Sequence, residues 1–417
     1  MGRNARPGSC FLAADGDREA RADVIWPSMC EAQALSSPLT LIPLCRQASD
    51  TDARRHGIRM RSDKEVWDPL RPPSTGTLPR TFLRMATAAA PLLLLGVSSA
   101  FTVSLWVIAR LVSRRQKPQE LRGRAVLITG CDSGFGLHLA RCLDSQGFVV
   151  FAGCLCPEGE GAQSLKRESS DNLKILKLDV TSEEDVQKAK EVVQANLPEK
   201  GLWAVVNNAG ISDWAEIEWS TMDDFRTIVD VNLFGCIRTS IAFLPMVRAS
   251  KGRMVYVSSI FAFFTCLNMG AYSVSKRGLE AFADCLRVEM ASFGVKVSII
   301  QPGNFGPATS IVRTKTGSDI WEKLNEERKQ TFSRQYMELA SDYFMSTCSS
   351  GFKDRQMVID AMLDAITSSR PKYRYLLVST FDMFFFYTCP YLPTFITDAI
   401  FSLSPMYHKR KEMLYSK

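Results

Sequence analysis

A phenol and an ammonium, Tyr272 and Lys276, stand four positions apart at the end of Ser259–Lys276, which reads SIFAFFTCLNMGAYSVSK. On a helix that spacing puts both side chains on one face. A tyrosine of ordinary pKa, about 10, keeps its proton near neutrality. A neighbouring ammonium favours the phenolate, so the pair is suited to moving a proton on or off a hydroxyl or carbonyl oxygen. The same spacing is common on helix surfaces, where it means no more than two solvated side chains. Its chemistry therefore depends on a cofactor cradle, a serine and a proton path supplied by the rest of the chain.

The elements that position such a pair are legible in the hydrophobic pattern. Beyond Pro118, short apolar runs alternate with amphipathic stretches, which predicts βαβ units and a parallel sheet. The expected strands are Ala125–Thr129, Val149–Ala152, Lys174–Leu178, Ala204–Asn207, Met254–Ser258, Lys296–Gln301 and Tyr375–Val378. About seven such strands make an α/β, doubly wound, Rossmann-type sheet, which binds ligands at the carboxyl ends of its strands. Directly after the first strand comes TGCDSGFG, with Gly130, Gly134 and Gly136 opening a helix. Glycines there permit a tight turn and close approach of a pyrophosphate to the helix N-terminus, where free N–H groups and the dipole favour anions.

The net charge of +7 is not spread over the folded body. Residues 1–84 carry +3, residues 110–124 carry +5 and residues 405–417 carry +3, which leaves residues 125–404 at −4. A nucleic-acid binder would hold its positive excess on the folded domain, so no nucleic-acid partner is expected. Charge flanking hydrophobic segments suits anionic phospholipid headgroups. Twelve scattered cysteines lack zinc-type spacing and read as reduced thiols, and three widely separated histidines offer no metal site.

Residues 1–84, with mixed charge and no periodicity, are expected to be a disordered extension. Met85 precedes a coherent hydrophobic segment and reads as an alternative start, an expectation that native peptides upstream of it would overturn. Residues 85–110 are expected to form a transmembrane anchor, since Ala86–Ala109 holds no charge. A helix of that length spans a hydrocarbon core of about 30 Å. A basic linker, 111–123, leads to a dehydrogenase-type domain over 124–375 that includes a substrate lid. Residues 376–417 read as an aromatic tail at the membrane interface, with a pocket wall or dimer contact as the alternative.

The ordered motifs resemble those of the short-chain dehydrogenases/reductases over about residues 121–403. They are the TGxxxGxG turn, NNAG at Asn207–Gly210, Asn232 in VNLFG, Ser259 in VYVSS thirteen residues before Tyr272, the YxxxK pair, and PG at Pro302–Gly303. The resemblance implies Tyr272 as general acid/base, and Lys276 as the residue that lowers its pKa and binds the nicotinamide ribose. It implies Ser259 as the group orienting the substrate oxygen, and Asn232 as the holder of a relay water. It places Gly130, Ser133, Gly134, Gly136, Asp179, Asn208, Tyr272, Lys276, Pro302 and Gly303 around the cofactor. Asp179 reads equally well as a cap before TSEED. FAGCLC, after the second strand, holds neither acid nor base, and the absence of arginine favours NAD, with NADP left open.

Within the family the likeness is strongest to dehydrogenases of D-3-hydroxybutyrate and next to those of retinol and hydroxysteroids. It implies hydride transfer on a secondary alcohol or ketone, with D-3-hydroxybutyrate/acetoacetate the expected pair. It further implies a homo-oligomer and a mitochondrial inner membrane, with the endoplasmic reticulum as alternative. The loop IFAFFTCLNMGA carries three phenylalanines and no charge. An unpaired carboxylate would be costly to bury there, so a retinoid or hydroxysteroid stays open as substrate, with Lys315, Lys323, Arg328 and Arg334 the possible carboxylate partners. A catalytically inactive membrane scaffold is the reading from another class.

Overall fold

The computed structural model describes residues 121–415, apart from 265 and 314, together with Ser104. The expected extension, the anchor apart from Ser104, and the linker up to residue 120 lie outside the described residues. Seven strands form one parallel sheet: β1 (Ala125–Thr129), β2 (Val149–Cys154), β3 (Leu173–Lys177), β4 (Leu202–Asn207), β5 (Arg253–Val257), β6 (Lys296–Pro302) and β7 (Arg374–Leu377). Their order is β3-β2-β1-β4-β5-β6-β7, so the chain reverses direction between β1 and β4. Every expected strand is present, and no boundary moves by more than two residues.

The helices in chain order are α1 (Gly134–Ser145), α2 (Glu160–Glu168), α3 (Glu183–Ala195), α4 (Met222–Val229), α5 (Cys236–Ala249) and α6 (Gly270–Met290). Between β6 and β7 come α7 (Gly317–Lys323), α8 (Glu326–Thr331), α9 (Arg334–Ser349) and α10 (Gln356–Thr367). After β7 come α11 (Thr380–Thr388), α12 (Thr394–Ser402) and α13 (Pro405–Tyr415).

Strand β1, AVLIT, is buried along its whole length, because helices cover both faces of the sheet. Its side chains alternate. Val126 and Ile128 join the core under α1, α2 and α10, while Ala125 and Leu127 join the core under α3, α5 and α6. Among the described residues one helical run, Met222–Ala249, is long and apolar enough to cross a membrane. Its apolar residues have another use. Cys236, Phe243 and Val247 are buried in the core under the sheet, as expected of a central helix in an α/β domain.

Between α4 and α5 the run widens into a π-helical turn, Asp230–Gly235, that contains Asn232. Such turns often mark functional sites. The segment expected as a lid builds its own small core. Ile320, Leu324, Phe332, Tyr336 and Met337 pack with Trp214 and Trp219, and Met406 of α13 closes that cluster.

Candidate active site

The glycine turn leaves β1 through Gly130 at φ +71° and enters α1 through Gly134 at φ +59°, both in the left-handed region. A Cβ on Gly136 would lie 2.3 Å from the Gly130 carbonyl oxygen and 2.6 Å from Asn208 Nδ2, so α1 rides directly on the turn. Asn208 clamps it from the far side. Its Nδ2 donates to the carbonyls of Thr129, at 2.9 Å, and Gly130, at 3.1 Å. Thr129 Oγ1 accepts the N–H groups of Asn208, at 3.0 Å, and Ala209, at 2.9 Å. Ser133 precedes α1 and makes no side-chain cap bond, which leaves its hydroxyl and the first N–H groups of the helix for an anion.

Asp179 also borders this end of the cavity, and its Oδ1 accepts from the backbone and hydroxyl of Thr181, at 2.9 and 2.7 Å. The cap of α3 is Ser182 rather than Asp179.

Tyr272 and Lys276 share a face of α6, and both are buried. Lys276 Nζ donates to the Val257 carbonyl at 2.8 Å and lies 5.7 Å from the centre of the Tyr272 ring. Burial pushes the Tyr272 phenol up to about 12, opposed by a hydrogen bond with Ser259. Burial likewise lowers the Lys276 ammonium, while Cys236 and Glu280 act to raise it. The lowering of the phenol by Lys276 expected from the spacing is therefore not what acts on it here, burial being the larger effect. The four-residue step places the lysine beside the ring but aims its nitrogen at a strand carbonyl.

Asn232 is fully buried. Its Oδ1 accepts from Ile211 N–H at 2.9 Å, and its Nδ2 donates to the Ile211 carbonyl at 2.9 Å and to Ser275 Oγ at 3.0 Å. Ser275 Oγ donates onward to the Tyr272 carbonyl at 2.7 Å. A side chain at Gly210 would begin 3.2 Å from Asn232 Oδ1 and 3.5 Å from Lys276 Nζ, so the glycine keeps a gap open between them. Pro302 and Gly303 end β6 beside Ser259, and the Gly303 N–H donates to the Leu377 carbonyl at 2.8 Å.

Several contributors were not singled out from sequence. Ser275 and Gly210 lie inside the YSVSK and NNAG motifs, but a motif does not say which neighbour faces the gap. Asp132, in TGCDSGFG, accepts the N–H groups of Leu155 and Cys156 at 2.9 and 2.8 Å, which puts an acid at the end of β2 from outside β2. Glu280 accepts from Ser258 Oγ at 2.7 Å and Gln301 Nε2 at 2.9 Å, tying the ends of β5 and β6 beneath Ser259.

The glycine turn, Asn208, Gly210, Ser259, Tyr272 and Lys276 open onto one cavity of about 1910 Å³, with Asn232, Ser275 and Glu280 outside its lining. Its far wall is aromatic, with Phe261, Phe263 and Phe264 from the loop before Tyr272 and Phe344 from α9. The tail folds onto this loop. Phe264 meets Phe386 at 5.1 Å and Phe401 at 4.9 Å between ring centres. Arg410 of α13 holds the carboxylate of Glu216 through two bonds of 2.8 Å, and Tyr336 donates its hydroxyl to the same group. Burial and the Glu216 carboxylate push the Tyr336 phenol up, and the bonds to Glu216 raise Arg410.

None of Lys315, Lys323, Arg328 and Arg334 lines the cavity, contrary to the expectation that one could hold a carboxylate. Lys315 pairs with Asp213 at 3.5 Å and Arg334 with Glu338 at 3.1 Å. Arg334 is turned toward an acid of the lid itself and Lys315 toward one in the segment after β4. Arg410→Ala is expected to lower unfolding stability by about 1–3 kcal/mol by stranding a buried carboxylate. A denaturant double-mutant cycle with Glu216→Gln that gives no coupling would sink the clamp.

Residues 124–318 match the family described as short chain dehydrogenase. The mitochondrial D-beta-hydroxybutyrate dehydrogenase of Bos taurus is 43% identical over 261 residues, which cover 60% of this chain and 76% of that protein. Retinol dehydrogenase 7 of Rattus norvegicus is 40% identical over 307 residues, covering 72% and 94%. The 17-beta-hydroxysteroid dehydrogenase type 6 of Bos taurus is 38% identical over 312 residues, covering 73% and 96%. The crystal structure of a short-chain dehydrogenase from Streptomyces avermitilis superposes with a TM-score of 0.54 at 23% identity, covering 70% of this chain and 99% of that one.

Proposed function

Because the chain belongs to the short-chain dehydrogenase/reductase family of oxidoreductases acting on CH–OH groups, we propose that it is an NAD-dependent dehydrogenase of a lipophilic alcohol. The observation that carries the substrate class is the cavity wall facing Tyr272. It is built from Phe261, Phe264 and Phe344, and the one cation the tail brings to it, Arg410, is already neutralised by Glu216. Relatives named for retinol and a hydroxysteroid are matched over 94% and 96% of their length, against 76% for the hydroxybutyrate enzyme, which supports the same reading. D-3-hydroxybutyrate is the second reading, favoured by Arg277 and Arg313, exposed residues that also line the cavity.

The cradle fits a dinucleotide. Gly136 has no room for a side chain, and Ser133 leaves the start of α1 uncapped. Gly130, Gly134 and Ser133 would hold the pyrophosphate, Asp179 and Asn208 the adenosine side, and Lys276, Pro302 and Gly303 the nicotinamide side. NAD is favoured over NADP because Asp132 sits at the end of β2, and the cations lining the cavity are Lys276, Arg277, Arg313 and Arg410, none of them from that corner. When bound, NAD supplies the hydride acceptor and a positive ring that favours the phenolate.

Tyr272 takes the proton of the substrate hydroxyl, and Ser259 holds the substrate oxygen against its phenol. The gap at Gly210, between Asn232 Oδ1 and Lys276 Nζ, is the place of a water that passes the proton outward. Burial of Asn232, Ser259, Tyr272 and Lys276 limits the access of bulk solvent to the reacting centre.

The exposed aromatics Phe384, Tyr391 and Phe395, in the tail segment whose Phe401 lines the cavity, support a phospholipid surface as a partner, through which such an alcohol would arrive. The exposed Ile241 of α5 and Val288 of α6 support a homo-oligomer. A relative named as mitochondrial supports a mitochondrial location. The test is initial-rate turnover of a retinol, a hydroxysteroid and D-3-hydroxybutyrate with NAD and with NADP. Turnover of the hydroxy acid alone would overturn the substrate class, and a higher kcat/KM with NADP would overturn the cofactor.

A further inference from the structure

The chemistry above leaves one buried carboxylate unused. Glu280 lies one helical turn beyond Lys276 on α6, so phenol, ammonium and carboxylate follow one another at Tyr272, Lys276 and Glu280 along its buried face. Glu280 is 8% exposed. Ser258 Oγ donates to its Oε1 at 2.7 Å and Gln301 Nε2 to the same oxygen at 2.9 Å, bonds that favour the ionised carboxylate. Ser258 follows Val257, whose carbonyl accepts from Lys276 Nζ, so both charges are held at the end of β5.

Burial acts against an ammonium, and among the described residues the hydrogen bond of Lys276 goes to the neutral Val257 carbonyl. A negative charge has to hold its proton in place. Two groups act in that direction, Cys236 from the start of α5 and Glu280. Burial pushes the Cys236 thiol up to about 11, so near neutrality it is uncharged and Glu280 is the acid that remains. On the far side of Glu280, Arg374 of β7 stands 3.6 Å from Oε2. That guanidinium donates to Asp284 at 3.1 and 2.5 Å, and Arg287 meets the same acid at 3.4 Å. Arg374 is therefore shared between two acids, and its side chain is 39% exposed, where water screens it.

We propose that Glu280 is a positioning residue of the proton transfer: acting through Lys276, its carboxylate keeps the buried ammonium charged and so sets the pH at which Tyr272 gives up its proton. This rests on the reading of Tyr272 and Lys276 as the acid–base pair and is independent of the substrate. Along a helix Glu280 is about 6 Å from Lys276 and about 12 Å from Tyr272, so the ammonium feels the larger effect.

The experiment records kcat/KM for oxidation against pH, with NAD and whichever of retinol, a hydroxysteroid and D-3-hydroxybutyrate the wild type turns over. Glu280→Gln removes the charge and keeps the shape. The rising limb of its profile should move up by about one pH unit, a tenfold loss of rate on the limb. Glu280→Met, an apolar side chain that adapts to the same space, is the second charge-free variant and should move the limb the same way. Glu280→Asp keeps the charge, and Ser258→Ala removes one bond of the carboxylate while leaving its charge; both should hold the limb within about 0.3 unit of the wild type. Because the position of the limb is read and not its height, partial loss of folded enzyme cancels. A limb unmoved in both charge-free variants overturns the proposal. So does a downward shift, which would mean that the charge acts on the phenol directly, or an equal upward shift in Ser258→Ala, which would assign the effect to the tie between β5 and β6. Activity and limb retained in Tyr272→Phe would overturn the acid–base reading itself.

Discussion

Tyr272→Phe is expected to lower kcat/KM for alcohol oxidation by about 100- to 10,000-fold, the usual worth of a positioned acid–base group. The variant should fold. Phenylalanine keeps the ring, its burial and its edge-on contact with Phe261, whose ring centre lies 6.2 Å away. What disappears is the phenol hydroxyl, with its hydrogen bond to Ser259 and its capacity to carry a proton.

The pH dependence has a definite sign. Oxidation needs the deprotonated phenol, which burial disfavours, so kcat/KM for oxidation should rise with pH above neutrality while the reduction rate falls. Stability runs the other way. With the folded phenol raised to about 12 against about 10 in the unfolded chain, the unfolded state releases its proton first. The contribution of Tyr272 is complete below about 10 and is lost as pH rises to about 12. Alkaline unfolding curves should therefore be shallower for Tyr272→Phe than for the wild type, the other buried tyrosines being common to both. Retention of activity by this variant would remove Tyr272 from the mechanism. An unchanged biological effect with activity abolished would instead support the scaffold reading.

Gly136→Ala is expected to weaken NAD binding at least tenfold and to cost about 1–3 kcal/mol of stability, the range for overpacking a close contact. The added methyl would lie 2.3 Å from a carbonyl oxygen of the turn and 2.6 Å from the amide of Asn208, neither of them the free end of a flexible chain. Relief requires α1 to move off the turn, and with it the uncapped N–H groups that would face the pyrophosphate. Titration of the purified variant with NAD, followed by cofactor fluorescence, reads the first effect and urea unfolding the second. An unchanged dissociation constant would show that the cradle does not lie at Gly136.

How much of this could be read in advance depended on whether the determinant was local. Strands β1 to β7 were legible to within two residues because a parallel sheet buried on both faces demands continuous apolar runs. The turn around Gly130 and Gly134 was legible because left-handed backbone selects glycine. The aim of Lys276 at the Val257 carbonyl was not legible, since it depends on where β5 lies relative to α6. Nor was Asp132, whose partners Leu155 and Cys156 are supplied by another strand's end.

The sequence by itself determined the α/β architecture and pointed to the cradle and to Asn232, Ser259, Tyr272 and Lys276, since periodicity and motif spacing are properties of the chain. Only the tertiary structure decided the character of the substrate cavity. It turned Lys315 and Arg334 to acids of the lid and its surroundings, closed Arg410 onto Glu216 across 194 residues, and set Phe386 and Phe401 against Phe264. A charge written in a sequence has no fixed meaning until its partner is known, because pairing decides whether a site can still recognise an ion. Partners that far apart in the chain meet only through the fold.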